Sequence, residues 1–243
     1  MEMIILTAIV VGGSTVAGAL IGLVLRQVGE RYNEIVMSLT AGVMLAAAVI
    51  GLIIPAVEYG GVANILVCSL GIFSGALMVN LFDRLLGLAY NLGVSDGERR
   101  RVFLFVAAIA AHNLPEGIAA GVGFSIDSHL GGLFIALAIA LQNLPEGMAV
   151  TLALIGAGMR PISAFLVASV TAVIEVVGTF VGFFACGISA SLLPFVLSLA
   201  GGSMMYVINE EIIPHTGSRI GSRAAAYLIL LGFCLMLLLG ELI

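Results

Sequence analysis

The sequence predicts an all-α, polytopic integral membrane protein with eight transmembrane helices. Of its 243 residues, 61% are hydrophobic and only 9% are charged, and the mean hydropathy is +1.23. A soluble domain carries about 25% charged residues. A bilayer-spanning helix takes roughly 20 apolar residues, so eight spans leave about 80 residues for links and ends. We therefore expect residues 1–243 to form a single transmembrane domain in contact with the lipid bilayer.

Eight apolar runs, separated by polar breaks, mark the expected helices. The longest break, residues 83–101, contains three consecutive arginines and is too polar to enter hydrocarbon, so we expect a cytoplasmic loop there. The weakest break, residues 187–191, is almost as apolar as its neighbours. The spans lie near residues 4–25, 35–57, 62–82, 102–124, 131–157, 161–185, 189–212 and 224–242.

The placement of arginine decides between eight spans and seven. Lys and Arg accumulate in short cytoplasmic loops, and eight spans place every arginine of the chain in links on one side of the membrane. Removing the weakest break would move Arg219 and Arg223 to the opposite side. We therefore expect eight spans with both termini extracytoplasmic. The membrane that we expect them to cross is the plasma membrane (the cell inner membrane).

Composition also excludes some functions. The net charge is −5 and the chain has no lysine, so it lacks the basic stripe that nucleic-acid binding needs. No G-x-x-x-x-G-K-[ST] loop is present to hold a nucleotide. Each of the three cysteines stands alone in an apolar run, so we expect small buried hydrophobic side chains at Cys68, Cys186 and Cys234.

Several spans contain glycines four residues apart, which in lipid allow helix backbones to approach closely. Two explanations remain open at this point, because such pairs pack helices either within one chain or across a homodimer interface. The pairs are Gly18 with Gly22, Gly71 with Gly75, and Gly178 with Gly182.

Two copies of one polar motif lie inside the predicted membrane region. Residues 111–117 read AHNLPEG in the fourth span, and residues 141–147 read LQNLPEG in the fifth. Both copies lie at similar distances from the link that joins these spans, so two antiparallel helices bring them to a similar depth near the middle of the membrane. A proline inside a helix removes one backbone hydrogen bond, and we expect Pro115 and Pro145 to kink their helices.

Each copy places two polar side chains on one helix face. His112 with Glu116, and Gln142 with Glu146, are separated by four residues. Asn113 and Asn143 lie beside the same faces. One imidazole, two carboxylates and three amide groups are therefore expected to converge.

The sixth span adds Glu175, which has no basic residue within several helical turns. A charged carboxylate at the bilayer centre costs about 2.5 to 3.5 kcal/mol on insertion scales. Either the buried acids Glu116, Glu146 and Glu175 are protonated, or a cation from outside the chain completes the site. A divalent metal ion fits, because imidazole suits Zn, Fe, Ni or Cu while carboxylate and amide oxygens also accept Mn and Cd.

Two further candidates are weaker. Glu211 lies four residues before His215 near the inner end of the seventh span. We favour an exit or relay role for this pair over an ordinary interfacial cluster. Met44 is a thioether candidate, although core packing is the favoured interpretation.

At these residues the chain resembles the ZIP (Zrt-, Irt-like protein) family of divalent metal transporters, and most closely its bacterial GufA-like branch, in which Gln opens the second motif. The resemblance covers essentially the whole chain. It implies a ZIP-like helix bundle and a homodimeric carrier that moves Zn²⁺, and also Cd²⁺, Fe²⁺ or Mn²⁺, into the cytoplasm by alternating access. The metal is then the transported substrate, and no prosthetic group is expected.

The resemblance also implies two adjacent metal sites. The first consists of His112, Glu116, Gln142 and Glu146, with Met44 nearby, and the second consists of Asn113, Asn143 and Glu175 together with the bridging Glu116 and Glu146. Asn143 stands where some relatives have an acid, which makes the second site less negative.

Two other functions remain as alternatives. An intramembrane metal-dependent hydrolase would also use His and Glu on one helix face to activate water, but the H-E-x-x-H pattern of zinc peptidases is absent at residues 112–116. A passive cation channel is the other alternative. Saturation of the initial rate with metal concentration distinguishes a carrier from a channel.

Overall fold

Helices account for nearly all of the chain that the structure describes. The structure is a computed structural model that describes residues 2–26, 29–60, 64–91, 97–123, 129–188 and 190–242. Within these ranges, the described part excludes the side chains of residues 30, 60, 86–91, 97–109, 129–131, 134, 186–188, 190, 211, 215 and 241–242. The described residues contain no strand, so the predicted all-α class is confirmed.

The long helices follow the predicted apolar runs. Their bounds are α1 Glu2–Val24, α2 Glu30–Ala46, α3 Ile54–Gly60, α4 Ile65–Asn91, α5 Gly97–Gly123, α6 His129–Gly156, α7 Pro161–Ile188, α8 Leu193–Val207 and α9 Ser222–Leu242. Two π-helical segments continue these helices. Ala47–Ile53 joins α2 to α3 in one unbroken rod, and Ile208–Ile212 follows α8.

The weakest predicted break is confirmed as an interruption between two helices. α7 ends at Ile188, a short 3₁₀ turn covers Ala190–Leu192, and α8 begins at Leu193. Pro194 lies in the first turn of α8, where its missing N–H would have no helical partner in any case.

The interruption between the third and fourth predicted spans is shorter than expected. α4 continues to Asn91 and α5 begins at Gly97, so both helices extend into residues 83–101. Leu, Arg and Glu are good helix formers even where the sequence is too polar for hydrocarbon. Polarity therefore indicates where the chain leaves the lipid but not where the helix ends.

Length and composition identify six helices in the described residues that are able to cross a membrane. The eight-span count is therefore not confirmed. α8 has only 15 residues before its π-helical continuation, and the side chains of residues 97–109 in α5 lie outside the described residues. The six candidates cover Glu2–Val24, Arg31–Tyr59, Ile65–Leu85, Ile135–Gly156, Pro161–Ala185 and Ser222–Gly240.

The outer faces of these helices are apolar. Large side chains such as Phe73 on α4, Tyr227 on α9 and Val24 on α1 are more than 70% exposed, which suits a lipid environment and would be unfavourable in water. Cys68 is buried as expected, whereas Cys234 is exposed on α9, so that expectation was wrong for Cys234. The side chain of Cys186 lies outside the described residues.

Glycines hold the helices in closely packed pairs. A methyl group at Gly18 of α1 would collide with the carbonyl oxygen of Leu144 in α6, and one at Gly75 of α4 would collide with that of Leu199 in α8. A Cβ at Gly178 of α7 would lie 2.6 Å from the carbonyl oxygen of Leu114 in α5. All three predicted glycine pairs therefore contribute to packing within one chain. The homodimer stays a prediction.

These pairs also fix the directions of the helices. Gly18 contacts Leu144 and Gly22 contacts Met148, so α1 and α6 run parallel. The contacts of Gly71 and Gly75 show the same for α4 and α8. In addition, Glu34 at the start of α2 accepts hydrogen bonds from the link before α9. These relationships gather six arginines at one end of the bundle, namely Arg26, Arg31, Arg84, Arg160, Arg219 and Arg223.

Candidate metal centre

The two motifs meet at the interface between α5 and α6. Ligand atoms of His112, Glu116 and Glu146 all lie within 4.8 Å of one another, and all three side chains are buried. The closest contact joins Nε2 of His112 to Oε1 of Glu146 at 2.8 Å. The predicted convergence of these three residues is thus present in the structure.

Local helix geometry explains why each copy presents its polar residues together. α5 and α6 continue through Pro115 and Pro145, so residues four apart remain neighbours on one face. His112 therefore lies beside Glu116 on α5. α5 and α6 are antiparallel, and their rotation about their axes brings the face with His112 against the face with Glu146.

Several buried polar atoms in this cluster have no hydrogen bond of ordinary length and angle in the described part of the chain. They are both carboxylate oxygens of Glu116 and both amide atoms of Gln142, and each of these residues is 0% exposed. A buried polar atom without a partner costs about 1 to 3 kcal/mol, and more when it is charged. These atoms are available to bind an ion.

The electrostatic balance of the cluster favours a cation. Ionised carboxylates at Glu146 and Glu175 would repel a charge on Glu116, and a protonated His112 would attract it. Three carboxyl groups thus share one buried region with a single imidazole. A bound divalent cation would offset the repulsion and provide a partner for the oxygens of Glu116.

Glu175 lies in α7, next to the cluster, and is held by a hydrogen-bond network. Its Oε2 accepts a hydrogen bond of 2.8 Å from Oγ1 of Thr15 in α1. Its Oε1 accepts a short hydrogen bond from Nδ2 of Asn143 in α6. Asn143 also donates to the carbonyl oxygen of Val11 at 3.2 Å. The structure therefore brings Asn143 and Glu175 together, as the second predicted site requires.

The remaining candidates have different surroundings. Asn113 is buried at 1% exposure on α5, immediately after His112. Met44 is fully buried within the main hydrophobic core, which agrees with the favoured interpretation of core packing. The side chains of Glu211 and His215 lie outside the described residues.

Sequence reasoning missed two polar residues that the structure places in buried networks. Thr15 contacts Glu175, although in the sequence it is an ordinary threonine in an apolar helix. Glu34 is 6% exposed and accepts hydrogen bonds from the backbone N–H of Arg219 and Ile220 and from the hydroxyl of Ser218. The only signal in the sequence was the position of Glu34 directly before the predicted span at residues 35–57.

Fold and site together define a helical membrane protein with a candidate metal centre buried between two of its helices. The family model of the ZIP zinc transporters matches residues 94–240. The chain is 33% identical to the zinc transporter GufA of Myxococcus xanthus over 97% of this chain and 96% of that protein. The chain belongs to the ZIP zinc transporter family, which confirms the resemblance.

Other relatives extend the comparison. The zinc transporter ZIPB of Bordetella bronchiseptica is 35% identical over 93% of this chain and 76% of its own length. The zinc transporter ZIP11 of Homo sapiens is 38% identical over 60% of this chain and 45% of its own length. The similarity thus spans both bacterial and animal members of the family.

Proposed function

We propose that the chain carries divalent metal ions across the membrane, with Zn²⁺ as the main substrate and Cd²⁺, Fe²⁺ and Mn²⁺ as further substrates. The observation that carries this proposal is the buried group of His112, Glu116 and Glu146 in a member of a zinc transporter family. The metal is the transported substrate, and no prosthetic group takes part.

The ligands divide into two adjacent sites. His112, Glu116, Gln142 and Glu146 hold the first ion, and the buried atoms of Glu116 and Gln142 that lack an ordinary hydrogen bond support this assignment. Asn113, Asn143 and Glu175 hold the second ion together with Glu116 and Glu146. The hydrogen bond between Asn143 and Glu175 supports a common location for these two residues.

The ligand types suit zinc. Zn²⁺ accepts imidazole nitrogen and carboxylate oxygen in a four-coordinate site, and His112 with the two glutamates supplies both. Imidazole suits zinc and iron, whereas oxygen ligands suit Mn²⁺ equally well. We therefore expect His112 to favour zinc over manganese, and we place Mn²⁺ among the weaker substrates.

Transport proceeds by alternating access. Glu116 and Gln142 are 0% exposed, so an ion at this depth needs the helices to move before it reaches either side. The direction of transport is into the cytoplasm across the cell inner membrane, with both termini extracytoplasmic and the arginine-rich end inside. The transporter works as a homodimer, and Glu211 assists exit at the inner end.

Transport fits the family better than hydrolysis, because the relatives are named zinc transporters. A carrier also differs from a passive channel in its kinetics. The metal centre of a carrier must return to the outside in each transport cycle, which limits the maximal rate. Initial rates of zinc uptake into proteoliposomes should therefore saturate with zinc concentration. A linear dependence up to millimolar zinc would instead identify a channel.

The direct test measures zinc flux in proteoliposomes that contain the wild-type chain, Glu116→Ala or Glu146→Ala. Each variant should lose zinc uptake while it reconstitutes normally, because each removes one charged ligand from the buried group. Glu2→Gln is the matched control, since Glu2 is an exposed acid at the first position of α1. Wild-type flux in both alanine variants would refute the proposal.

A further inference from the structure

The side chain of Thr15 connects α1 with the candidate metal centre. Thr15 is 2% exposed, and its hydroxyl lies 2.8 Å from Oε2 of Glu175 in α7. Neither motif is on α1, so nothing in the sequence pattern connects this helix with the site. The contact nevertheless joins α1 to one of the buried carboxylates.

The hydroxyl of Thr15 departs from the usual behaviour of threonine in a helix. Such a hydroxyl normally donates to the carbonyl oxygen four residues earlier, as Thr7 does to Met3 at 2.9 Å. For Thr15 the corresponding distance to Val11 is 3.5 Å, whereas the distance to Glu175 is much shorter. Since a hydroxyl has one proton, Thr15 donates it to Glu175.

Two glycines make this contact possible by allowing α1 to approach both neighbours. A Cβ at Gly12 would lie 2.6 Å from a methyl group of Val176 in α7. A Cβ at Gly147, the glycine of the second motif, would collide with the carbonyl oxygen of Thr15. Larger residues at these positions would push α1 away, and the short threonine side chain would no longer reach Glu175.

The other oxygen of Glu175 has a different partner. Oε1 accepts from Asn143 of α6, and the same Nδ2 of Asn143 also donates to the carbonyl oxygen of Val11. One turn of α1, from Val11 to Thr15, therefore contacts both Asn143 and Glu175. Because the hydroxyl of Thr15 contacts Oε2, the oxygen of the Glu175 carboxylate that contacts α6 is Oε1.

We propose that Thr15 is a positioning residue for Glu175: it holds Oε2 and so directs Oε1, which also accepts from Asn143, toward α6 and the transported metal ion. This inference rests on the proposed function, because it concerns the affinity of the same site. Thr15 itself does not touch the metal. Its removal takes away one of the two hydrogen bonds that orient the carboxylate, so metal binding must restrict more of its rotation.

The test compares zinc uptake by four proteins: wild type, Thr15→Val, Thr15→Ser and Thr7→Val. Valine keeps the shape of threonine without its proton donor, and serine keeps the donor. Thr7 is the matched control, because it is also a buried threonine of α1 and its hydroxyl donates within its own helix. Initial rates over a range of zinc concentrations give KM and the maximal rate separately.

We expect Thr15→Val to raise the KM for zinc roughly tenfold, which corresponds to the loss of about one charge-assisted hydrogen bond, with the maximal rate within about twofold of wild type. Thr15→Ser and Thr7→Val should keep the wild-type KM. An unchanged KM in Thr15→Val, or an equal rise in Thr15→Ser, would overturn the inference while wild-type uptake continued to support the proposed function. Absence of uptake by the wild-type chain would overturn both.

Discussion

Nε2 of His112 on α5 lies 2.8 Å from Oε1 of Glu146 on α6, so the first motif is joined to the second by a direct contact. Each copy alone supplies only two polar groups on one helix face. The contact between the copies adds a third ligand group and places the cluster at the helix interface. The duplicated motif therefore acts as one site made from two helices.

The residue that precedes asparagine in each motif, His112 in the first copy and Gln142 in the second, should determine metal preference. His112→Gln makes the two copies alike at this position, and it replaces the imidazole that favours zinc with an amide oxygen that accepts manganese equally well. We expect the preference for zinc over manganese to fall about tenfold, a change of about 1.4 kcal/mol. Competition of unlabelled manganese against radiolabelled zinc in proteoliposomes measures it. The reverse variant, Gln142→His, should increase zinc preference, and an unchanged ratio in both variants would contradict the assigned ligands.

The glycine that ends the first motif should be required for helix packing. A methyl group at Gly117 would collide with the backbone carbonyl oxygen of Glu175 in α7, and backbone cannot move as easily as a side-chain end. Gly117→Ala should destabilise the protein by about 1 to 3 kcal/mol, seen as a lower thermal unfolding temperature in detergent. Gly13→Ala is the control, since nothing lies within 4 Å of a Cβ at Gly13. Equal unfolding temperatures for the two variants would contradict the packing.

Glu34 should stabilise the link that precedes α9. Its two oxygens accept from the backbone N–H of Arg219 at 2.9 Å, and Oε2 also accepts from that of Ile220 at 3.0 Å. Glu34→Ala leaves these backbone donors without their acceptor, which should loosen the link. Amide hydrogen exchange at residues 219 and 220 should accelerate in Glu34→Ala. Glu34→Gln keeps one acceptor oxygen and should show a smaller effect, and unchanged exchange in Glu34→Ala would show that the link has other support.

Much of the fold could be predicted from hydropathy, because lipid requires each span to be a long apolar helix. The break near residue 189 and the helix-pair role of Gly18 and Gly75 follow from this rule and from the size of glycine. The bounds of α4 and α5 were less predictable, since helices continue beyond the lipid where Arg and Glu still favour helical backbone. The count of eight spans and the membrane orientation stay predictions.

The candidate site was predictable in composition but not in its contacts. Spacing placed His112 beside Glu116, since residues four apart share a face. It did not determine the rotation of α5 about its axis, which decides that His112 contacts Glu146. Thr15 gave no signal, because its role depends on how closely Gly12 and Gly147 allow α1 to approach.

The measurement that tests the central claim most directly is an anomalous difference map from crystals grown with zinc, collected on both sides of the zinc absorption edge. We predict a zinc peak between α5 and α6, within about 2.0 to 2.2 Å of Nε2 of His112 and of carboxylate oxygens of Glu116 and Glu146. A protein that transports zinc but shows no anomalous peak at this cluster in such crystals would contradict the account.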